Sequence, residues 1–245
     1  MCDTKLLASG NTAHIYLDSG TVRKVYHRES LAAVEVEARN QEFALQAGLL
    51  VPRVIGIQET ERGPVLIMEH LPGETMLAQI EREPHRLDEF LRAPVELQIS
   101  VHATPAPELR PMSERLRQQI QTVSSIPENR KAELLDQLQV IAAETCLCHG
   151  DFHVQNIMVT NDQLAIIDWM DATRGNPLLD VCRSYLLYLG VDSSVAELYL
   201  AEYCRQSGVI PEAVARWLPV MAAARLSEHL SPDEHSRLLN LVQTQ

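Results

Sequence analysis

The sequence predicts an α+β protein of two lobes, a small antiparallel β-sheet lobe with one helix followed by a larger, mainly helical lobe. Three observations lead there. Short β-like runs separated by turn residues, with one helical stretch among them, fill the chain from Lys5 to Met68. Beyond Gly73 helical periodicity dominates, broken by a single hairpin pattern at Ile157 to Ile167. The composition changes between Glu69 and Gly73. The expected division is therefore 1–68 for the first lobe, 69–73 for a hinge and 74–245 for the second.

In the first lobe, Lys5 to Ala8, Ala13 to Leu17 and Thr21 to Tyr26 read as three strands joined by turns at Ser9-Gly10-Asn11-Thr12 and Asp18-Ser19-Gly20. Ser30 is a candidate N-cap for a helix with apolar positions at Leu31, Val34, Ala38 and Leu45, and Gly48 is the residue type favoured just past a helix end. Val51 to Ile57 and Val65 to Met68 read as two further strands around a turn at Thr60 to Pro64, which completes a five-stranded antiparallel sheet.

The second lobe is expected to hold helices at Thr75 to Glu83, Arg86 to His102 with an interruption at Pro94, Ser113 to Ser124 and Pro127 to Ala143. The Ile157 to Ile167 hairpin turns at Asn161-Asp162. Asn176-Pro177 then opens a helix that Gly190 should end. Helices starting near Ser194, Pro211 and Ser231 complete the chain, with Pro219 kinking or dividing the one that begins at Pro211.

Composition narrows the class. The chain has 245 residues, 46% of them hydrophobic, enough for a sizeable core. Its formal charge of −12 speaks against a nucleic-acid partner held through phosphates and favours a cationic small molecule or a magnesium nucleotide. Five cysteines, an odd number without a regular framework, point to reduced thiols in the cytoplasm. No apolar run has the length of a membrane span or the make-up of a secretory signal, so no membrane partner is expected.

The chemistry is concentrated in Cys148-His149-Gly150-Asp151-Phe152-His153-Val154-Gln155-Asn156-Ile157-Met158-Val159 and in Leu164-Ala165-Ile166-Ile167-Asp168-Trp169. Asp151, delivered by a strand into a loop, can accept the proton of a substrate hydroxyl. Asn156 and Asp168, at opposite ends of the hairpin, offer the oxygen ligands that Mg²⁺ prefers. Base, metal ligand, metal ligand is the order of kinase-type phosphoryl-transfer centres. His149 suits a structural role, whereas His153 fits a phosphate contact and a loop-holding role equally. A soft-metal site at Cys146, Cys148 and His149 lacks further ligands. Ser9, Gly10 and Asn11 can aim backbone N–H groups at phosphates, as glycine-containing loops do, although an ordinary hairpin turn has the same composition.

HGDFHVQN followed by IIDW resembles the aminoglycoside phosphotransferase and choline kinase superfamily, a branch of the protein-kinase-like fold, and the resemblance covers nearly the whole chain. It implies a catalytic base at Asp151 and magnesium ligands at Asn156 and Asp168. It also implies an ATP-phosphate contact at Lys24, on the third strand. A helix glutamate should orient that lysine. Glu35, Glu37 and Glu42 are candidates, of which Glu37 best matches the family's spacing ahead of Val51-Pro52, with Glu42 left open. Met68, Glu69 and Leu71 fall at the family's hinge, where backbone groups meet an adenine edge, and Asp180 falls where an acidic residue braces the catalytic loop. Val154 and Gln155 depart from the family's usual residues without touching the reacting groups.

The expected function is thus an ATP- and Mg²⁺-dependent transfer of the γ-phosphoryl group to a hydroxyl of a small molecule, with an aminoglycoside-like compound, an amino alcohol or a sugar as acceptor. Two alternatives stand beside it, a nucleotide-binding pseudokinase acting as a scaffold and a protein kinase. The brief connection from Asp168 to Asn176 leaves little room for a peptide-binding activation segment. No motif in the second lobe names the acceptor or an oligomeric state.

Overall fold

The computed structural model describes residues 4–10, 12–139 and 145–243. The chain divides into two compact units, one of Met1–Pro84 with Val154–Asp171 and one of His85–His153 with Ala172–Gln245.

In the first unit, strands β1 (Lys5–Ser9), β2 (Ala13–Asp18), β3 (Thr21–Tyr26), β4 (Val54–Thr60) and β5 (Gly63–Glu69) form an antiparallel sheet in the order β1-β2-β3-β5-β4. Ser19 and Gly20 both have positive φ, which gives the β2–β3 hairpin a turn matched to the strands' twist. Helix α1 (Leu31–Gln46) starts where the Ser30 hydroxyl accepts the Ala33 N–H at 3.2 Å, and it packs on β4 and β5. Ala13, Tyr26, Val34, Ala38, Leu66 and Met68 close the core between helix and sheet. Each large side chain buried there contributes about 1.5–3 kcal/mol.

Two strand starts differ from the sequence expectation. The fourth strand begins at Val54 and not Val51, because Pro52 has no N–H to give a ladder and its carbonyl is taken by the Gln41 side chain at 2.5 Å. The fifth begins at Gly63, so the expected five-residue turn is a tight one at Glu61-Arg62.

A second sheet belongs to the same unit: β6 (Glu74–Thr75), β8 (Ile157–Thr160) and β9 (Gln163–Ile166), in the order β6-β8-β9. Asn161 and Asp162, both at positive φ, turn the β8–β9 hairpin at the place expected. Gly73 makes its pairing with β6 possible. Its φ is 145°, and a Cβ there would stand 2.0 Å from the Val159 carbonyl oxygen. Helix α2 (Met76–Arg82), capped by Thr75, follows.

The second unit contains α3 (Leu87–His102), α4 (Met112–Thr122), α5 (Glu128–Gln139), β7 (Cys146–Cys148), β10 (Thr173–Gly175), α6 (Pro177–Val191), α7 (Ser193–Ser207), α8 (Pro211–Ala215), α9 (Leu218–Arg225) and α10 (Pro232–Gln243). Helix α3 continues through Pro94 instead of breaking there. The proline is buried between Leu91 and Val95, and this packing holds the helix across the lost backbone bond. The expected extension of α5 to Ala143 lies outside the described residues. Gly190 does not end α6, which runs one residue further before Asp192 caps both its C-terminus and the start of α7. Pro219 sits in the first turn of α9 and separates it from α8, as expected. Strand β10, which no sequence signal marked, pairs with β7 at Thr173↔Cys148 and Gly175↔Cys146.

Candidate active site

The unit that holds the five-stranded sheet carries a buried charge cluster. Side chains alternate along β3, so Lys24 turns inward toward α1 while Arg23 faces outward and bonds Gln58 at 2.7 Å. Lys24 Nζ donates to Glu37 Oε1 at 2.8 Å and to Asp168 Oδ1 at 2.9 Å. Both Lys24 and Glu37 are buried, at 6% and 0% exposure, and the Tyr26 hydroxyl donates to the other Glu37 oxygen. Glu37, of the three helix glutamates weighed from sequence, is the one bonded to Lys24.

Burial alone would lower the Lys24 pKa, but the Asp168 and Glu37 carboxylates outweigh it and hold the amine above its ordinary value. Glu37 lies above the usual carboxylate range, pushed there by burial and pulled partly back by Lys24. Tyr26 is pushed well up by burial and by the Glu37 charge.

The hairpin brings Asn156 and Asp168 together from the same unit. Ile157 pairs with Ile166, and the Ile167 N–H donates to the Asn156 carbonyl at 3.0 Å, so the two residues leave adjacent strand ends. Asp168 has φ of 66°, a left-handed conformation that Asp tolerates better than most residues with a Cβ. Its side chain is 40% exposed. An amide oxygen and a carboxylate offered from adjacent strand ends form a donor set that fits a hard divalent cation. Among the described residues no three or more His, Cys, Asp or Glu side chains group to hold an ion, so a cation at Asn156 and Asp168 would draw its remaining oxygens from water and phosphate.

The loop carrying Asp151 belongs to the other unit. Gly150 has φ of 80°, and its N–H donates to Asp180 Oδ1 at 2.7 Å. Asp180 is itself fully enclosed: His102 Nε2 lies 3.0 Å from Oδ2 and Gln98 Nε2 3.3 Å from it, while Tyr203 and Tyr199 bond His102 and Gln98 in turn. Burial would raise the Asp180 pKa, yet the His102 contact and the Gly150 N–H bring it below its ordinary value.

Asp151 Oδ2 is 3.3 Å from His153 Nε2, and Oδ1 is 3.3 Å from Arg183 Nη2. Burial pulls its pKa upward, but His153, Arg183 and His149 together hold the carboxyl well below the usual range. His149 is buried, accepts the Asp151 N–H at 3.2 Å and packs edge-on against Phe152, a loop-building role.

The remaining residues singled out from sequence are placed as follows. Gly10 N–H donates to the Ala13 carbonyl at 2.9 Å and the Ser9 hydroxyl bonds His14 Nδ1, so both serve the β1–β2 hairpin, while Asn11 lies outside the described residues. Met68 is buried beside Gln41, the Glu69 N–H donates to the Arg53 carbonyl, and Leu71 follows the end of β5. Among the described residues, Cys146, Cys148, Cys182 and Cys204 form no disulfide. Arg183, Glu228, His102 and Gln98 carried no motif. The one usable signal was Arg183 itself, a lone cation in the mainly apolar run LLDVCRSYLL three residues after Asp180.

A small antiparallel sheet with one helix and a larger helical portion, with a lysine clasped by a helix carboxylate and a hairpin-end aspartate, defines a kinase-fold phosphotransferase. The chain belongs to the phosphotransferase enzyme family (APH), whose model matches residues 3–219. Among solved structures, a thermostable mutant of aminoglycoside phosphotransferase APH(4)-Ia, determined with AMP-PNP and hygromycin B, aligns with a TM-score of 0.73 at 17% identity over 98% of this chain and 91% of that one. The gentamicin complex of APH(2")-IIa gives 0.63 at 19% identity over 99% and 92%. An aminoglycoside-3'-phosphotransferase of type VIII gives 0.64 at 23% over 96% and 93%. These likenesses establish the fold. Mouse (Mus musculus) acyl-CoA dehydrogenase family member 10 is 27% identical over 237 residues, 79% of this chain, and the chain spans about a fifth of that relative's length. No helix among the described residues is long and apolar enough to cross a membrane.

Proposed function

We propose that this chain transfers the γ-phosphoryl group of Mg-ATP to a hydroxyl of a small molecule. The observation that carries the reading is the Lys24 amine, buried and shared between Glu37 at 2.8 Å and Asp168 at 2.9 Å. Two carboxylates keep that amine charged and fix its direction. That is what a lysine needs in order to meet nucleotide phosphates. The magnesium nucleotide, when bound, supplies the phosphoryl group and the charge that stabilises its oxygens.

The chain's own residues do the rest. Asn156 and Asp168 offer metal oxygens from adjacent strand ends. Asp151, kept ionised by Arg183 and His153, orients the acceptor hydroxyl and takes its proton at a carboxylate oxygen. Asp180 holds the loop's backbone through Gly150. Met68, Glu69 and Leu71, in a hinge at residues 69–73 and just before it, are assigned to the adenine edge, and the positions Ser9, Gly10 and Asn11 to the phosphates. The nucleotide complex of APH(4)-Ia and the aminoglycoside complexes of the structural relatives support a nucleotide donor and a small hydroxyl-bearing acceptor. The short stretch 169–175, three residues of which are spent in β10, argues against a peptide acceptor.

A panel of amino alcohols, sugars, aminoglycosides and hydroxy acids assayed for ADP release, with Asp151→Asn as control, tests the reading. Acceptor-dependent release that the variant loses, with nucleotide affinity retained, is the expected result. Calorimetry that detects no ATP binding in excess Mg²⁺ would refute it, and binding without turnover across the panel would favour a scaffold.

A further inference from the structure

The base's surroundings extend past the family match. Arg183, on α6, is 8% exposed, and its planar fork serves two carboxylates at once. Nη2 reaches Asp151 Oδ1 at 3.3 Å, and Nη1 makes a shorter bond to Glu228 Oε1. The other Glu228 oxygen lies 3.4 Å from Arg225 Nε, and Arg225 Nη2 donates to Glu234 Oε1 at 2.8 Å. Charges therefore alternate along Asp151, Arg183, Glu228, Arg225 and Glu234. The last three come from α9, the turn after it and α10, beyond residue 219, where the family match ends.

The distances rank the two claims on the guanidinium. A charge-assisted N–H···O⁻ bond settles near 2.7–2.9 Å. By these contacts Arg183 is held more closely to Glu228 than to Asp151. An arginine bound in parallel to both Asp151 oxygens would occupy the lone pairs a base needs. One held off by Glu228 lends its charge without taking them. The groups facing Asp151 include His149 and His153 from its own loop and Arg183 from α6, with Glu228 behind the arginine and Asp180 fixing Gly150.

We propose that Arg183 is a positioning residue for Asp151, shared with Glu228, so that the segment beyond residue 219 sets how firmly the base is held. The inference rests on the reading of Asp151 as the base. Arg183→Gln should lower kcat about 10-fold or more with KM for ATP unchanged, a share of the general-base contribution. The acid limb of its kcat/KM profile should move up by about 1–3 pH units, since the permanently charged neighbour is gone. Arg183→Lys should return the limb toward its original place without restoring full rate, because an ammonium cannot bridge both carboxylates. Glu228→Gln should lower kcat in the parent protein and do nothing further on top of Arg183→Gln.

The experiment combines these profiles with a turnover-free measurement on the full chain, the Asp151 carboxyl carbon followed by NMR against pH. An upward-shifted titration in Arg183→Gln, together with non-additivity at Glu228, supports the proposal. An unmoved titration, or Glu228→Gln effects that are equal in both backgrounds, overturns it, even if the variants lose activity through instability. If no acceptor gives Asp151-dependent turnover, the phosphotransferase reading fails by itself. The carboxyl titration and a thermodynamic cycle on it then decide the Arg183 and Glu228 coupling.

Discussion

Replacing Lys24 by Met keeps the volume of the side chain and removes its charge, leaving Glu37 enclosed in α1. At 2.8 Å the pair's gross attraction is about 6 kcal/mol for an effective dielectric near 20. Most of that is offset by desolvation of both groups, and removal of one partner of such a pair typically costs about 3–5 kcal/mol. Asp168 adds little, because its side chain is 40% exposed and water screens it. The Tyr26 hydroxyl still donates to Glu37, which places the expectation at the lower end.

The pH dependence is the sharper part of this prediction. Glu37 has a folded-state pKa already raised by burial, with Lys24 the main influence pulling it back. A carboxyl raised in this way contributes stability below its unfolded pKa, and that contribution is lost as pH rises through the folded value. Lys24→Met lifts the folded value further and widens this window, at up to about 1.4 kcal/mol per pH unit. Urea unfolding should therefore show a loss of about 3 kcal/mol at about pH 8 that shrinks to about 1 kcal/mol or less near pH 5. Adding Glu37→Gln should recover much of the loss at the higher pH, since the uncompensated charge is then gone. A loss that is the same at both pH values, or below about 1 kcal/mol at pH 8, would show that the pair is not buried as described.

Two further outcomes follow from particular contacts. Gly73→Ala places a Cβ 2.0 Å from the Val159 carbonyl at a φ of 145°, and the β6–β8 pairing should lose about 2 kcal/mol or more, read as faster amide exchange in β8. Asp180→Asn leaves His102 and the Gly150 N–H with a weaker acceptor, so the chain should lose about 2–4 kcal/mol in denaturant. Its phosphoryl transfer should fall while calorimetric ATP affinity holds.

What could be read from sequence divides along sequence separation. Asp151, Asn156 and Asp168 stood out because one loop and one hairpin set their order, and the Asn161-Asp162 turn fixes the register between the last two. Lys24 and its neighbour on α1, 13 positions on, were reachable through strand alternation and family spacing. Arg183 and Glu228 were not, since they meet Asp151 and each other across 32 and 45 positions through helix packing alone. Strand β10 is three residues long, too short to show a period of two. The start of β4 shifted because a side-chain amide competes for the Pro52 carbonyl, a contact that no local pattern announces.

The charge of the chain bears on the acceptor differently once these contacts are known. A sum of −12 suggests attraction for cations at a distance, an effect screened beyond roughly 8–10 Å. At Asp151, the proposed base, the partners include a guanidinium and an imidazole at 3.3 Å each. An acceptor amine approaching Asp151 would meet the guanidinium, whose charge partly compensates the carboxylate that the acceptor's hydroxyl would meet. The long-range field and the local one therefore govern different steps, encounter and proton acceptance. Ionic strength should act on the first, and the Arg183–Glu228 pair, with one member at 10% side-chain exposure and so sheltered from salt, should act on the second.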